Sequence, residues 1–336
     1  MISKLFARVF ILTMLYLLVC ALIYAISYFS LSQKTFINLP AFKAVQKNLY
    51  WHGQFGFVDI WQNKTECISY DEKLIYVPKI GSCRYKNAEF DTILNFEKNG
   101  RFMPEIINNN ENPIIVIGDS HAMGWGVNDD ETFSYILQNI LKRQVYNLAV
   151  SSYGTVREII RLNKTNLLSN SNILIIQYHE NDINENRDFH KIKREEYKNK
   201  FLQLKEQKSV NILSKMGFIL RTYKSSLRLI FSDITGLFVK TKNELDFTGH
   251  YPILIELLKN LEDFEKKRII IFFSNGPESR FYNFPEGIDE NYKNIYFADI
   301  KLNKDDHFYL DQHPNRFGHK KIAESLARVL TQFKIY

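Results

Sequence analysis

The chain has 336 residues, 45% of them hydrophobic, with a formal net charge of +7 and a pI near 9.0. This is enough apolar material for a sizeable core and excludes a wholly disordered chain. The basic balance suits anionic headgroups or acidic glycans, but no zinc-finger, helix-turn-helix or RNA-recognition signature accompanies it, so nucleic acid is not an expected partner.

Val9 to Tyr28 is an almost unbroken apolar run of about 20 residues, enough to cross a bilayer. Lys4 and Arg8 precede it and place the N-terminus in the cytoplasm. The run is longer than a usual signal-peptide core, and no small-x-small cleavage site ends it. Residues 1–30 therefore read as an uncleaved signal anchor, with a cleaved signal peptide as the alternative. Val19 is too bulky for lipoprotein processing at Cys20, which reads as a small apolar residue of the membrane helix. The rest of the chain is expected outside the cytoplasm, periplasmic or extracellular. There Cys67 and Cys83 are expected to form a disulfide, the alternative being two buried thiols. No cysteine-histidine set has zinc spacing, so no metal site is expected.

Residues 31–111 read as a linker and small pre-domain. Short strands are expected at Phe55–Trp61 and Leu74–Pro78, and a turn at Asn99-Gly100-Arg101. The polar stretch Asn108–Pro113 then marks a boundary, and residues 112–336 read as an α/β domain. Strands at 113–117, 145–149 and 173–178 alternate with helices at about 131–143, capped by Asp130, and 155–167. A charged and amphipathic insert at about 187–247 interrupts the alternation. It is expected to form a helical cap over the site, a bilayer contact being the alternative. A helix at about 251–265, strands at 268–273 and 295–298, and a C-terminal helix complete a parallel sheet.

The first strand of that domain stops at Gly118-Asp119-Ser120-His121, where open α/β sheets bind ligands. A serine at this edge can be a nucleophile if it has a base, an orienting group and oxyanion donors. His313, in Asp311-Gln-His313-Pro-Asn315 before the last helix, is the base candidate, and Asp311 could hold its ring. His307, beside Asp305 and Asp306, lacks the Pro-Asn-to-helix context. The Ser120 N–H, the Gly154 N–H after the second strand and the Asn181 side-chain amide after the third could converge on one oxygen. His121, Trp125 and His179 lie near these positions and are candidate substrate contacts, packing in the loop being the alternative for His121 and Trp125.

Four blocks in this order, Gly118-Asp119-Ser120, Asn147 through Gly154, Asn181-Asp182, and Asp311 with His313, resemble the SGNH/GDSL hydrolase superfamily over residues about 112–334. Two departures are visible. His179 stands where many members carry glycine, and Asp311 is two residues before the histidine where many have it three before. The resemblance implies a flavodoxin-like three-layer α/β/α domain with Ser120 as nucleophile, His313 as base and Asp311 as its orienter. It implies an oxyanion hole of Ser120, Gly154 and Asn181, and no metal or organic cofactor. With the anchor, it implies acyl-ester hydrolysis of an acylated, often O-acetylated, envelope or exported polysaccharide. The alternatives are an O-acetyltransferase served by a membrane acyl-donor protein, or a non-catalytic glycan-binding subunit.

Overall fold

The computed structural model describes residues 2–51, 57, 59, 61–107, 112–206, 212–235, 243–274, 276–277 and 279–333. In chain order the main elements are α1 (Ile2–Ser32), α2 (Pro40–Trp51), β1 (Ile68–Asp71), β2 (Ile75–Pro78), β3 (Gly81–Lys86), β4 (Asp91–Glu97) and β5 (Gly100–Arg101). Next come β6 (Ile114–Ile117), α3 (Ser120–Met123), α4 (Phe133–Leu141), β7 (Val145–Asn147), α5 (Thr155–Asn163), β8 (Ile173–Tyr178), α6 (Asp182–Asp188) and α7 (Arg194–Glu206). The chain closes with α8 (Ile212–Thr235), β9 (Asn243–Asp246), α9 (Tyr251–Leu258), β10 (Arg268–Phe273), β11 (Ser279–Tyr282), β12 (Gly287–Ile288), β13 (Ile295–Ala298) and α10 (Arg316–Gln332). They fall into two units.

The first unit takes Met1–Ile60, Lys86–Glu89 and Gln207–Thr241. Within it α1 is long and apolar enough to cross a membrane, and its span candidate is Lys4–Ser32. Its side chains are exposed from Lys4 to Leu15, but Cys20, Ser27 and Leu31 form a buried stripe at helical spacing. That stripe belongs to a three-helix contact with α2 and α8. The Tyr16 hydroxyl donates to the Leu227 carbonyl at 2.9 Å, the Tyr223 hydroxyl to the Leu17 carbonyl at 3.0 Å, and the Asn48 amide to the Thr222 carbonyl at 3.2 Å. The insert expected as a cap is thus divided. In α8, the buried row Thr222, Ser226 and Ile230, four residues apart, belongs to the helical unit with α1 and α2, whereas α7 belongs to the second unit.

The second unit takes Trp61–Tyr85, Phe90–Glu206 and Lys242–Tyr336 and is built on a nine-stranded sheet, ordered β12-β13-β10-β8-β6-β7-β5-β4-β3. The five strands β7, β6, β8, β10 and β13 are parallel. Counted in chain order they stand 2-1-3-4-5, the flavodoxin-like winding. Side-chain alternation explains why these strands are apolar at nearly every position. Ile114, Val116, Ile175 and Phe272 pack with Phe133 and Leu137 of α4 and Ile322 and Leu326 of α10. Ile115, Ile117, Leu174 and Ile271 pack with Ile159 and Leu162 of α5 and Leu254 and Leu258 of α9. The result is three layers, α/β/α.

Arg101 of β5 pairs antiparallel with Asn147 of β7, and β5, β4 and β3 extend the main sheet over what would otherwise be an exposed edge. The expected strand at Phe55–Trp61 lies largely outside the described residues, and Trp61 itself opens a 3-10 turn, Trp61–Asn63. Thr132, not Asp130, caps α4 by accepting from the Tyr135 N–H, while Asn128 and Glu131 form a reciprocal cap around the turn Asp129–Glu131.

Cys67 and Cys83 are joined by a disulfide, with their Cα atoms 5.8 Å apart and a sequence separation of 16. A loop of this length stabilises the fold by about 3 kcal/mol through the unfolded chain. Cys67→Ser with Cys83→Ser is expected to lower the unfolding free energy by about that amount. Urea denaturation of the two proteins, with unchanged slope, checks it.

Candidate active site

Ser120 stands at the switch point of the winding, just beyond β6. Gly118 makes this possible. A Cβ there would lie 2.6 Å from the Ala122 Cβ and 2.8 Å from Gln177 Oε1, so no larger residue fits the approach. Gln177, on β8, accepts the Asp119 N–H at 3.0 Å and the Ala122 N–H at 3.2 Å through that same oxygen. The Asp119 carboxylate accepts the His121 N–H at 2.8 Å. The amides around Ser120 are therefore engaged by the loop, while the Ser120 N–H has no acceptor among the described residues.

The base candidate, His313, arrives from the other end of the chain. Asn315 caps α10 by accepting the Phe317 and Gly318 N–H groups, and its amide donates to the carbonyls of Asp305 and His307. The Phe308 N–H donates to the His313 carbonyl at 2.9 Å. These contacts hold the loop that presents His313. The Ser120 hydroxyl donates to His313 Nε2 at 2.7 Å, and His313 Nδ1–H donates to Asp311 Oδ1. Asp311 is 2% exposed. Burial alone would push the His313 imidazolium down, but the Asp311 carboxylate outweighs it, and the net shift is upward from the ordinary value. His307, by contrast, has its Nδ1 on the Asn303 carbonyl at 2.8 Å.

Trp125 packs under the loop. It is 5% exposed, with its ring edge-on to Tyr85 and Phe90, and offers no open face for a sugar. The left-handed turns at Gly124 and Gly126 swing it inward, and its indole N–H donates to Asp311 Oδ2 at 3.4 Å. Arg101 secures this loop. Its buried guanidinium pairs with Asp129 at 2.6 Å and donates to the carbonyls of Met123, Gly124 and Val127.

His121 is also buried. Its Nδ1 is 3.0 Å from Ser274 Oγ, and its ring lies 4.6 Å from that of His313 and 5.1 Å from that of His179. Burial first, and then the neighbouring His313, hold its imidazolium far below the ordinary value, so this ring is neutral. It is a wall beside His313, placed by Ser274.

The two expected oxyanion loops are tied together beneath the site. Gly154 caps α5, and a Cβ there would lie 2.9 Å from the Glu185 Cβ, which requires glycine. Asp182 Oδ2 accepts the Thr155 hydroxyl at 3.1 Å and the His179 N–H at 3.3 Å, so one buried carboxyl links the Gly154 loop to the Asn181 loop. Burial, with the nearby Asp119, raises the Asp182 carboxyl well above the ordinary range. Glu158 alongside is raised too, by burial and then by Asp182. Asn181 itself is exposed, and its Oδ1 lies 2.9 Å from His179 Nδ1. Among the described residues no group of three or more histidine, cysteine or acidic side chains could hold a metal ion.

Gln177, Arg101, Ser274 and the contact of Trp125 with Asp311 were not anticipated. Gln177 had a signal, since it is the one polar residue in the buried strand Ile173–Tyr178. Gln177→Leu would strand two buried N–H groups at roughly 1–3 kcal/mol each. It is expected to lower stability by that amount, read by denaturation.

No family model and no curated protein matches the chain. Among solved structures it is similar to a protein described as lipolytic and of the G-D-S-L family from Desulfitobacterium hafniense, with 14% identity over 66% of this chain and 100% of that one, TM-score 0.30. A carbohydrate esterase family 2 enzyme with a carbohydrate-binding domain, from Corynascus (Myceliophthora fergusii), is 12% identical over 70% of each chain, TM-score 0.38. A mutant acetyl-xylooligosaccharide esterase from Geobacillus is 14% identical over 65% of this chain and 94% of that one, TM-score 0.29. At these levels of similarity none of their activities transfers to this chain.

Proposed function

We propose that this chain is a serine-dependent acyl-ester hydrolase of the SGNH/GDSL type, tethered by α1 and acting outside the cytoplasm on O-acyl groups of an envelope or exported polysaccharide. The observation that carries the reading is the unbroken hydrogen-bond chain from Ser120 through His313 to buried Asp311. Ser120 Oγ attacks the acyl carbonyl as His313 Nε2 takes its proton. Asp311 keeps the proton of Nδ1 in place and stabilises the imidazolium. The Ser120 N–H, with the Gly154 N–H and the Asn181 amide, receives the oxyanion. His313 then gives its proton to the leaving sugar oxygen, and water, deprotonated by the same ring, releases the acid. The tether and the disulfide support an extracytoplasmic setting.

Acetate release from O-acetylated polysaccharide, compared with hydrolysis of long-chain 4-nitrophenyl esters, tests the substrate class. Acetate release with little long-chain activity supports the reading. A preference for long acyl chains would replace it with a lipolytic one, and transfer of acetyl from a donor onto glycan would replace water by a sugar hydroxyl as acceptor.

A further inference from the structure

The Gly154 N–H is one of the donors assigned to the oxyanion, and such a donor works by being fixed in place before charge develops. Gly154 is buried, and its N–H has no acceptor among the described residues. What fixes it comes from two directions, the loop ahead of it and the helix α6 beside it. One side chain reaches both.

That side chain is Arg157, in the first turn of α5. Its Nε and Nη2 donate to the two carboxylate oxygens of Glu185 on α6, at 2.6 and 2.5 Å. The same Nη2 donates to the carbonyl of Ser152, two residues before Gly154. Its guanidinium lies 4.3 Å from the ring centroid of Tyr153, with the rings of Tyr76 and Phe189 at 5.5 and 5.6 Å. Tyr76 in turn donates its hydroxyl to the Ser151 carbonyl at 2.8 Å. Burial works against the Arg157 charge, but Glu185 outweighs it, and the net shift is upward, so the group stays charged.

The loop needs such a hold. Ser152 has a φ of +63°, a left-handed conformation that an L-residue keeps only where its surroundings impose it. On the other side, Thr155, Val156 and Arg157 bond α6 in succession. The Thr155 hydroxyl donates to Asp182 at 3.1 Å, the Val156 N–H to Asn186 Oδ1 at 3.0 Å, and Arg157 to Glu185. Of these three, Arg157 also bonds the loop ahead of Gly154.

We propose that Arg157 is a positioning residue, whose guanidinium, wedged between the Ser152 carbonyl and the Glu185 carboxylate, fixes where the Gly154 N–H points. The inference rests on the hydrolase reading and assigns a task in that site to a residue outside the chain from Ser120 to Asp311. Lysine would keep the charge but not the planar fork, so it cannot hold both acceptors in this geometry.

The test is hydrolysis of 4-nitrophenyl acetate by the full chain across pH, with a thermal melt of each protein, for wild type, Arg157→Lys and Glu185→Gln. Arg157→Lys is expected to lower kcat by about tenfold to a hundredfold through a displaced donor, with KM little changed. The pH midpoint is expected to stay where it is, because the Asp311 contact with His313 is untouched. Glu185→Gln leaves one oxygen for the guanidinium and is expected to lower kcat less. If the lysine variant melts below the assay temperature, Glu185→Gln is read by the same criteria. Arg143→Lys is the control. Its guanidinium holds the Asn112 carbonyl ahead of β6, at the edge of the sheet opposite Ser120, and its replacement is expected to lower the melting temperature without lowering kcat. An unchanged kcat in folded Arg157→Lys, a shifted pH midpoint, or an equal loss in Arg143→Lys overturns the proposal and leaves the hydrolase reading standing. A wild-type chain without turnover overturns the hydrolase reading, and the role of Arg157 with it.

Discussion

Ser120→Ala is expected to lower kcat/KM for an activated acetyl ester by about 10⁴-fold or more, with the folded state unchanged. The size follows from the chemistry. Without the hydroxyl no acyl-enzyme forms, and only binding and the oxyanion donors remain to assist water. The fold should tolerate the change, because Ser120 is half-buried and, among the described residues, its hydroxyl bonds only to His313, while the Gln177 and Asp119 contacts that hold the loop involve neighbouring amides. Steady-state kinetics with a thermal melt on the same sample checks both halves. A retained kcat/KM would mean that ester turnover takes place elsewhere on the chain.

Asp311→Asn carries the second large effect, together with a pH signature. In the wild type the Asp311 carboxylate raises the His313 imidazolium above its ordinary 6.5 in spite of burial. The base works only when neutral, so activity should rise with pH through a midpoint above 6.5. An asparagine removes the charge but leaves the burial, so the midpoint should move to lower pH. Its amide can also donate to Nδ1, which puts the ring proton on Nε2, facing Ser120, and disables the base. The plateau is therefore expected to fall by about 10⁴-fold even as the acid limb shifts downward. A pH–kcat/KM profile of both proteins reads the two effects separately. An acid limb that stays put would mean that Asp311 does not set the base.

What could be read from the sequence follows from the range of the interactions involved. The central strands were legible because a buried parallel strand must be apolar at nearly every position, as in Ile114–Ile117 and Ile173–Tyr178. The Ser120, His313 and Asp311 positions were legible because each follows a strand end or precedes a helix cap in a recognisable order. The role of Trp125 was left open between a sugar contact and loop packing because its surroundings are non-local. Tyr85 and Phe90 come from 40 and 35 residues earlier, and Asp311 from 186 residues later, and together they make it a buried donor. Arg101 was invisible for the same reason, since its partners lie 22 to 28 residues on, across the edge of a sheet that the sequence did not join to β5. The placing of α8 depended on hydrogen bonds with α1, from Tyr16 to Leu227 and from Tyr223 to Leu17, across more than 200 residues, which no local periodicity encodes.

The central claim is that Ser120 is an activated nucleophile. Its most direct test is labelling of the full chain with a fluorophosphonate, followed by peptide mass analysis and repeated on Ser120→Ala and His313→Ala. The account predicts one adduct, on Ser120, absent from the first variant and strongly reduced in the second. A folded wild-type chain that takes up no label, or takes it up at another residue, would contradict it.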